Sequence, residues 1–179
     1  HGHKGYVLTS GTDEDKEEDY EGIKIIRLKT PRFMKGLFFN LKVLRKITDF
    51  KHKIDIIHLH FIGLNSLFLS IASKIRKVSL VATAHGIDIY PKSFLHNLLI
   101  KFYLLFPKKI MAVSSFTYDV ASWNSDRKKL IVVNNGVDPE KLKLKENSKK
   151  FKKTHGLEDR RILLSVGGLV ERKGHRIII

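Results

Sequence analysis

The ten residues VATAHGIDIY, numbered 81–90, decide how the rest of the chain is interpreted. Small and apolar residues lead directly into His85 and Gly86, and Asp88 follows two positions after the glycine. A short, nearly continuous apolar run is typical of a strand that is covered on both faces. Gly86 would let a ligand approach the backbone because it has no Cβ, and the imidazole of His85 could donate or accept a hydrogen bond. These residues fit a functional histidine and a histidine that merely ends a strand equally well.

Further runs of this kind recur along the chain, and helical patterns separate several of them. The apolar runs cover residues 6–9, 23–28, 54–59, 80–84, 110–113, 130–133 and 162–166. Between residues 33 and 47 apolar side chains recur at three- and four-residue steps, which predicts a helix. Further candidate helices cover residues 64–77, 93–106 and 115–123. Alternating strands and helices predict an α/β fold, a Rossmann-like parallel sheet with flanking helices and right-handed crossovers.

The composition changes after residues 135–139, and this change predicts the domain organisation. Residues 141–161 contain nine Lys and Arg against three acidic residues and have no strand pattern. We therefore expect a first α/β domain over residues 1–140, a basic linker over 141–160 and the beginning of a second Rossmann-like domain over 161–179. The chain starts without Met and stops within an apolar run, so we also expect it to be a fragment.

The charge of the chain favours anionic partners. It contains 34 Lys and Arg against 18 Asp and Glu, a formal net charge of +16, although residues 13–21 form an acidic loop. The positive electrostatic field of such a chain would attract phosphorylated small molecules and acidic lipid headgroups. Nucleic acid is the less favoured partner. Cysteine is absent, which excludes disulfides and thiolate metal sites. The most apolar segment, 94–106, is interrupted by Lys101 and is too short for a membrane span, so we expect a cytoplasmic protein.

Small or hydrogen-bonding residues follow five of the predicted strands. Ligands of open parallel sheets bind beyond the carboxyl ends of the strands, so these residues predict a cleft for a polar ligand. They are His58 and His60, His85 and Gly86, Ser114 and Ser115, Asn135 and Gly136, and Gly167 and Gly168.

Two of these sets allow other interpretations. His58 and His60 would point to the same side of a strand and could share a divalent metal with His85 or Asp88, as in a metal-dependent hydrolase. The glycines at 167 and 168, followed by Arg172 and Lys173, predict a phosphate site at the start of a helix. An ordinary glycine turn with solvated charges is the alternative there. A third possibility is a basic module that binds nucleic acid or a membrane, since residues 33–47 and 94–109 combine aromatic with basic residues.

Four ordered segments resemble glycosyltransferase family 4, which has the GT-B fold. They are IHLHF at 57–61, TAHGID at 83–88, AVS at 112–114 followed by VNNGVD at 133–138, and LSVGGLVERKGH at 164–175. The resemblance implies two Rossmann-like domains that face each other across the active site. It also implies a retaining, hexosyl-type transferase that uses a nucleotide-diphosphate-sugar donor and no metal or other cofactor. The acceptor would be a glycan or a lipid-linked molecule, with peripheral attachment to the inner face of an anionic membrane.

The resemblance also assigns roles to residues of this chain. His85 and Asp88 would be catalytic, with His85 beside the transferred sugar. Lys173, together with Gly167, Gly168 and Arg172, would face the donor diphosphate. The residues that would line the acceptor cleft are His60, Gly86, Ser114 and Asn135. Two positions depart from the family pattern: Gly168 replaces the usual Arg, and Asn134 replaces a Pro. The diphosphate contact of that Arg would be absent or would be made by Arg172. The first strand and most of the donor domain would be missing, so we expect this chain alone to be inactive.

Overall fold

Two β-sheets form the framework of residues 1–135, the first of two units into which the chain divides. The computed structural model describes residues 2–11, 14–31, 34–140, 142–143 and 148–178. The strands are β1 (Tyr6–Gly11), β2 (Lys16–Tyr20), β3 (Ile23–Lys29), β4 (Ile56–His60), β5 (Ser79–Ala84), β6 (Lys109–Ala112) and β7 (Leu130–Val132). The helices of this unit are α1 (Lys35–Thr48), α2 (Leu64–Arg76), α3 (Phe94–Tyr103) and α4 (Ser115–Ser122).

The larger sheet is parallel throughout and has the order β4-β5-β6-β7. In chain order α2, α3 and α4 lie between its successive strands. Thr83 and Ala84 of β5 point to opposite faces of the sheet and are both buried, as expected for a strand with side chains packed on both faces. The predicted Rossmann-like parallel sheet with flanking helices is confirmed by these four strands.

The smaller sheet corrects the prediction of an acidic loop. Its order is β1-β3-β2, with β1 parallel and β2 antiparallel to β3. Most of the acidic segment forms β2, whereas residues 12 and 13 lie outside the described residues. Ladder pairing with β3 and ion pairs with β3 and α1 account for the strand. These ion pairs join Glu18 to Arg27, Asp15 to Lys42, and Glu17 to Lys46.

Helix α1 confirms the helix predicted from the apolar stripe over residues 33–47, although residues 32 and 33 are outside the described part of the chain. Val43 and Ile47 are its buried apolar residues and belong to the hydrophobic core. The same core contains Ile57 and Leu59 of β4. These residues alternate with His58 and His60, because successive side chains of a strand point to opposite faces. Burial of the two apolar residues therefore directs both histidines to the other face.

The second unit, residues 136–179, has a simpler structure than predicted. Its described elements are α5 (Ser148–Thr154), a 3₁₀ turn (Glu171–Lys173) and α6 (His175–Ile178). The strand predicted over residues 162–166 is wrong: Leu163, Leu164 and Val166 are more than 80% exposed and lie in irregular backbone. A strand needs a paired neighbour, and the described part of this unit contains none. The predicted domain boundaries and a second Rossmann-like domain therefore stay predictions.

None of the helices in the described residues is long and apolar enough to cross a membrane.

Candidate active site

Three histidines meet at the carboxyl edge of the parallel sheet. His58 and His60 come from β4, and His85 follows directly after β5. Nδ1 of His60 lies 3.2 Å from Nε2 of His85, and Nε2 of His58 lies 2.7 Å from the hydroxyl oxygen of Thr83. The parallel pairing that places His60 opposite Thr83 brings the two strand ends together. The chain thus presents connected imidazoles at the edge where ligands of such sheets bind.

The environment favours the neutral forms of two of these histidines. Burial lowers the pKa of His58 below that of a free imidazole, and the neighbouring His60 and His85 lower it further. Partial burial, followed by the proximity of His85, lowers the pKa of His60 in the same way. A neutral imidazole has one N–H and one lone pair. His60 can therefore form a single N–H···N hydrogen bond with His85.

Asp88 connects the loops that follow the two strands. Its Oδ1 accepts a hydrogen bond from the backbone N–H of His85 at 2.9 Å, and its Oδ2 accepts one from the backbone N–H of Ile62 at 2.8 Å. Both carboxylate oxygens are thus engaged with the backbone on either side of the histidine cluster. These contacts give Asp88 a structural role, while its predicted catalytic role stays a prediction.

Gly86 forms the tight turn between His85 and Asp88. Its carbonyl oxygen accepts hydrogen bonds from the backbone N–H groups of Ile89 and Tyr90, at 3.2 and 2.9 Å. Its φ of +94° lies in a region that favours glycine. A Cβ at this position would also lie 3.6 Å from Oγ1 of Thr117 on α4. The backbone conformation therefore favours glycine here, whereas the contact with Thr117 would be an ordinary van der Waals contact.

The other two residues predicted to line the cleft lie at the ends of elements. The hydroxyl of Ser114 caps α4, accepting a hydrogen bond from the backbone N–H of Thr117 at 3.1 Å. Asn135 is exposed and is the last residue of the first unit. Ser114 thus caps a helix, and Asn135 is exposed to solvent. The contact of these two residues with an acceptor stays a prediction.

Phe61 is also part of the cluster, a residue to which the sequence motifs assigned no role. Its ring stacks on the imidazole of His85, with centroids 4.3 Å apart and planes inclined by 25°. Its φ is +64°, which is unusual for a bulky residue. The carbonyl oxygen of Phe61 accepts a hydrogen bond from Nδ2 of Asn65 at 3.0 Å. The one sequence signal for this ring is its position as the last residue of the IHLHF segment at 57–61.

The geometry does not favour the metal-hydrolase alternative. Within the described residues, no group of three or more His, Cys, Asp or Glu side chains is placed to hold a metal ion. Asp88, one of the predicted third ligands, has both oxygens bonded to backbone N–H groups. The other, His85, has its Nε2 paired with His60.

In the second unit, a glycine turn contains the residues predicted to bind phosphate. Nε2 of His175 lies 3.2 Å from the carbonyl oxygen of Gly168, and its Nδ1 lies 2.8 Å from the hydroxyl of Ser165. His175 therefore stabilises this turn, a role that the sequence analysis missed. A Cβ on Gly167 would lie 3.6 Å from Cγ and Cδ of Lys173, whereas one on Gly168 would meet nothing within 4 Å.

The helix expected to begin after the glycines is only a three-residue 3₁₀ turn, Glu171–Lys173. Gly174, with a φ of +66°, ends this turn before α6 begins. So short a turn has only a small aligned dipole, and the predicted phosphate site stays a prediction. Lys173 is exposed, and the side chain of Arg172 lies outside the described part of the structure.

The parallel sheet and the histidine-bearing edge define a Rossmann-like α/β protein with a candidate ligand site. More specifically, the chain belongs to Glycosyltransferase Family 4, whose family model matches residues 1–141. No curated protein matches the chain.

Several solved structures share this fold. HepE from Anabaena, in complex with UDP and glucose, has a TM-score of 0.65 and 19% identity, over 87% of this chain and 42% of HepE. HepE in complex with UDP has a TM-score of 0.56 and 18% identity, over 76% of this chain and 37% of HepE. A glycosyltransferase from Rickettsia africae ESF-5 has a TM-score of 0.52 and 23% identity, over 77% of this chain and 37% of its own chain. The chain thus spans about two fifths of the length of these proteins.

Proposed function

We propose that the chain belongs to a retaining, hexosyl-type glycosyltransferase that uses a nucleotide-diphosphate-sugar and needs no metal or other cofactor. Family membership gives glycosyl transfer in general. The observation that carries the proposal is the pairing of His60 with His85 beside Gly86, at the edge of the sheet where a ligand can reach them. HepE, whose fold is similar, is described with UDP and glucose, which supports a UDP-hexose as donor.

In the proposed reaction, a sugar passes from a nucleoside diphosphate to an acceptor hydroxyl. The bond between the anomeric carbon and the diphosphate oxygen breaks, and the nucleoside diphosphate leaves with the electron pair. An acceptor hydroxyl forms the new bond to the anomeric carbon, and its proton passes to the leaving diphosphate. His85 would hydrogen-bond the transferred sugar. Lys173, with Gly167, Gly168 and Arg172, would stabilise the charge that grows on the diphosphate. His60, Gly86, Ser114 and Asn135 would contact a glycan or lipid-linked acceptor.

A transfer assay on the complete gene product tests this proposal. UDP-glucose and other nucleotide-sugars are supplied with glycan and lipid-linked acceptors, and both nucleotide release and glycosylated product are measured. Lys173→Ala should lower the turnover by about 10²-fold or more, because removing one group that stabilises transition-state charge typically has such an effect. Lys153→Ala in α5 is the matched control and should leave turnover unchanged. Absence of transfer from every nucleotide-sugar would refute the proposed activity, and normal turnover of Lys173→Ala would remove that residue from the mechanism.

We further propose that α3 attaches the protein to the cytoplasmic face of an anionic membrane. The helix buries Ile100 but exposes an apolar stripe. The stripe comprises six residues whose exposed fractions are 41–88%: Phe94, Leu95, Leu98, Leu99 and Phe102 of the helix, and Leu105 just beyond it. Acidic lipid headgroups complement the net charge of +16, and apolar stripes of this kind insert at the headgroup boundary. Such attachment would bring a lipid-linked acceptor to the enzyme.

Sedimentation with vesicles tests this membrane proposal. We expect the protein to bind vesicles that contain phosphatidylglycerol and to bind neutral phosphatidylcholine vesicles several-fold more weakly. Leu98→Glu places a negative charge in the stripe and should abolish most of the binding. Ile75→Glu, at an equally exposed apolar position of α2, is the control and should bind like the wild type. Equal binding by both variants would refute the role of α3.

A further inference from the structure

We propose that Phe61 is a positioning residue for His85: its backbone holds the ring against the imidazole and so fixes the orientation of His85 toward the sugar. This inference rests on the proposed transferase function for its consequence in catalysis. The geometry of the contact itself is independent of that function.

The backbone of Phe61 is in a conformation that favours glycine. At a φ of +64°, the Cβ of an L-residue is too close to the backbone, and bulky residues are rarely found there. The other non-glycine residues with positive φ among the described ones are Glu21, Met34 and Lys77, which lie at a strand end or next to a helix end, as Phe61 does directly after β4. Phe61 is the aromatic residue of this group, and a glycine or asparagine would occupy the position with less strain.

Hydrogen bonds on both sides of the residue maintain this conformation. The backbone N–H of Phe61 donates to the carbonyl oxygen of Thr83 at 3.2 Å. Its own carbonyl oxygen accepts from Asn65, and the next backbone N–H, of Ile62, donates to Asp88. Three successive backbone groups are therefore held by β5, α2 and the turn after His85. An over-determined strained residue is typical of functional sites.

The position of the Phe61 ring indicates the role of its strained backbone conformation. Phe61 is 50% exposed, so its ring does not serve mainly to fill the core. One face covers the imidazole of His85, while His60 occupies Nε2 of the same imidazole. The imidazole is thereby fixed through its face and through one nitrogen. Among the contacts of the described residues, Nδ1 of His85 has no hydrogen-bond partner, so it is the nitrogen available to a sugar hydroxyl.

Three substitutions separate positioning from simple structural support. Phe61→Tyr keeps the ring and is the conservative variant. Phe61→Leu keeps an apolar side chain but removes the aromatic face, and Phe61→Gly relieves the strained φ but removes the side chain. Because of this relief, Phe61→Gly should unfold at no lower temperature than Phe61→Leu. The opposite order would show that the backbone at residue 61 is not strained in solution and would overturn the premise that strain holds the ring in place.

Imidazole NMR provides a readout that does not depend on activity. In the wild-type chain and in Phe61→Tyr, the ring protons of His85, assigned by their loss in His85→Gln, should have an upfield shift from the stacked ring. This shift should disappear in Phe61→Leu and Phe61→Gly. Unchanged His85 resonances in these two variants would overturn the inference.

Kinetics of the complete gene product then test the consequence for catalysis. We expect kcat of Phe61→Leu to fall by at least about 10-fold with little change in the KM for the donor, because small misplacements of reacting groups mainly affect the chemical step. Phe61→Tyr should restore most of the rate. A normal kcat in Phe61→Leu would overturn the positioning role. Absence of transferase activity in the wild type, with the NMR shifts as expected, would refute the proposed function and leave the contact between Phe61 and His85 established.

Discussion

Asp88→Asn is expected to lower the free energy of unfolding of the chain by about 2–3 kcal/mol, although the two side chains have nearly the same shape. Asp88 accepts backbone hydrogen bonds from His85 and Ile62, one on each carboxylate oxygen. Asparagine has only one acceptor oxygen, and its NH₂ group would face the second backbone N–H. The variant loses charge-assisted hydrogen bonding and leaves one donor without a partner.

Denaturant unfolding measures this loss directly. Asp88→Ala should be at least as destabilised as Asp88→Asn, because it removes the acceptors of both backbone donors. Asp119→Asn, at an exposed position of α4, makes the same chemical change away from the site and should stay within about 0.5 kcal/mol of the wild type. Equal stability of Asp88→Asn and wild type would show that the carboxylate does not hold the two loops together in solution.

The sequence could predict the meeting of the histidines because local patterns decide it. Apolar runs place β4 and β5, and parallel strands joined by a helix have their carboxyl ends at the same edge. A histidine at the end of each strand must then lie near that edge. The topology therefore places His60 and His85 at the same edge, whereas their 3.2 Å contact also depends on the adjacency and register of β4 and β5.

Asp88 and Phe61 could not be assigned in the same way. The backbone N–H that Asp88 binds on the β4 side belongs to Ile62, which is 26 residues away in sequence. The left-handed backbone of Phe61 depends on Thr83 and Asn65, which belong to other elements. Neither relation leaves a periodic pattern or a spacing in the sequence. Only the three-dimensional arrangement reveals them.

The two errors in the strand prediction have opposite physical causes. The segment that forms β2 is too acidic to be recognised from apolar alternation, yet β3 offers it a pairing edge and α1 offers basic partners. Residues 162–166 have the apolar pattern of a buried strand but no strand to pair with in the described part of their unit. Pairing between strands, which is a non-local property, decided both cases.

His85→Ala should lower kcat/KM for glycosyl transfer by about 10²- to 10³-fold, the effect typical of removing a hydrogen-bonding group from a reacting centre. The fold should tolerate this change. His85 is only half-buried, and the hydrogen bond to Asp88 comes from its backbone N–H, which alanine retains. Transfer is measured on the complete gene product, with denaturant unfolding of each variant to show that stability is unchanged. His96→Ala in α3 is the matched control and should have wild-type activity.

Two isosteric variants identify the nitrogen on which the activity depends. The amide of His85→Asn lies near the position of Nδ1, whereas the amide of His85→Gln lies near that of Nε2. Because Nε2 of His85 already contacts His60, a sugar hydroxyl is expected at Nδ1. His85→Asn should therefore retain at least about 10-fold more activity than His85→Ala, since one hydrogen bond to a charged or reacting group contributes roughly 1.5–3 kcal/mol. His85→Gln should be as inactive as His85→Ala. The reverse order would place the substrate on the side of His60, and normal activity in all three variants would exclude the imidazole from the reaction.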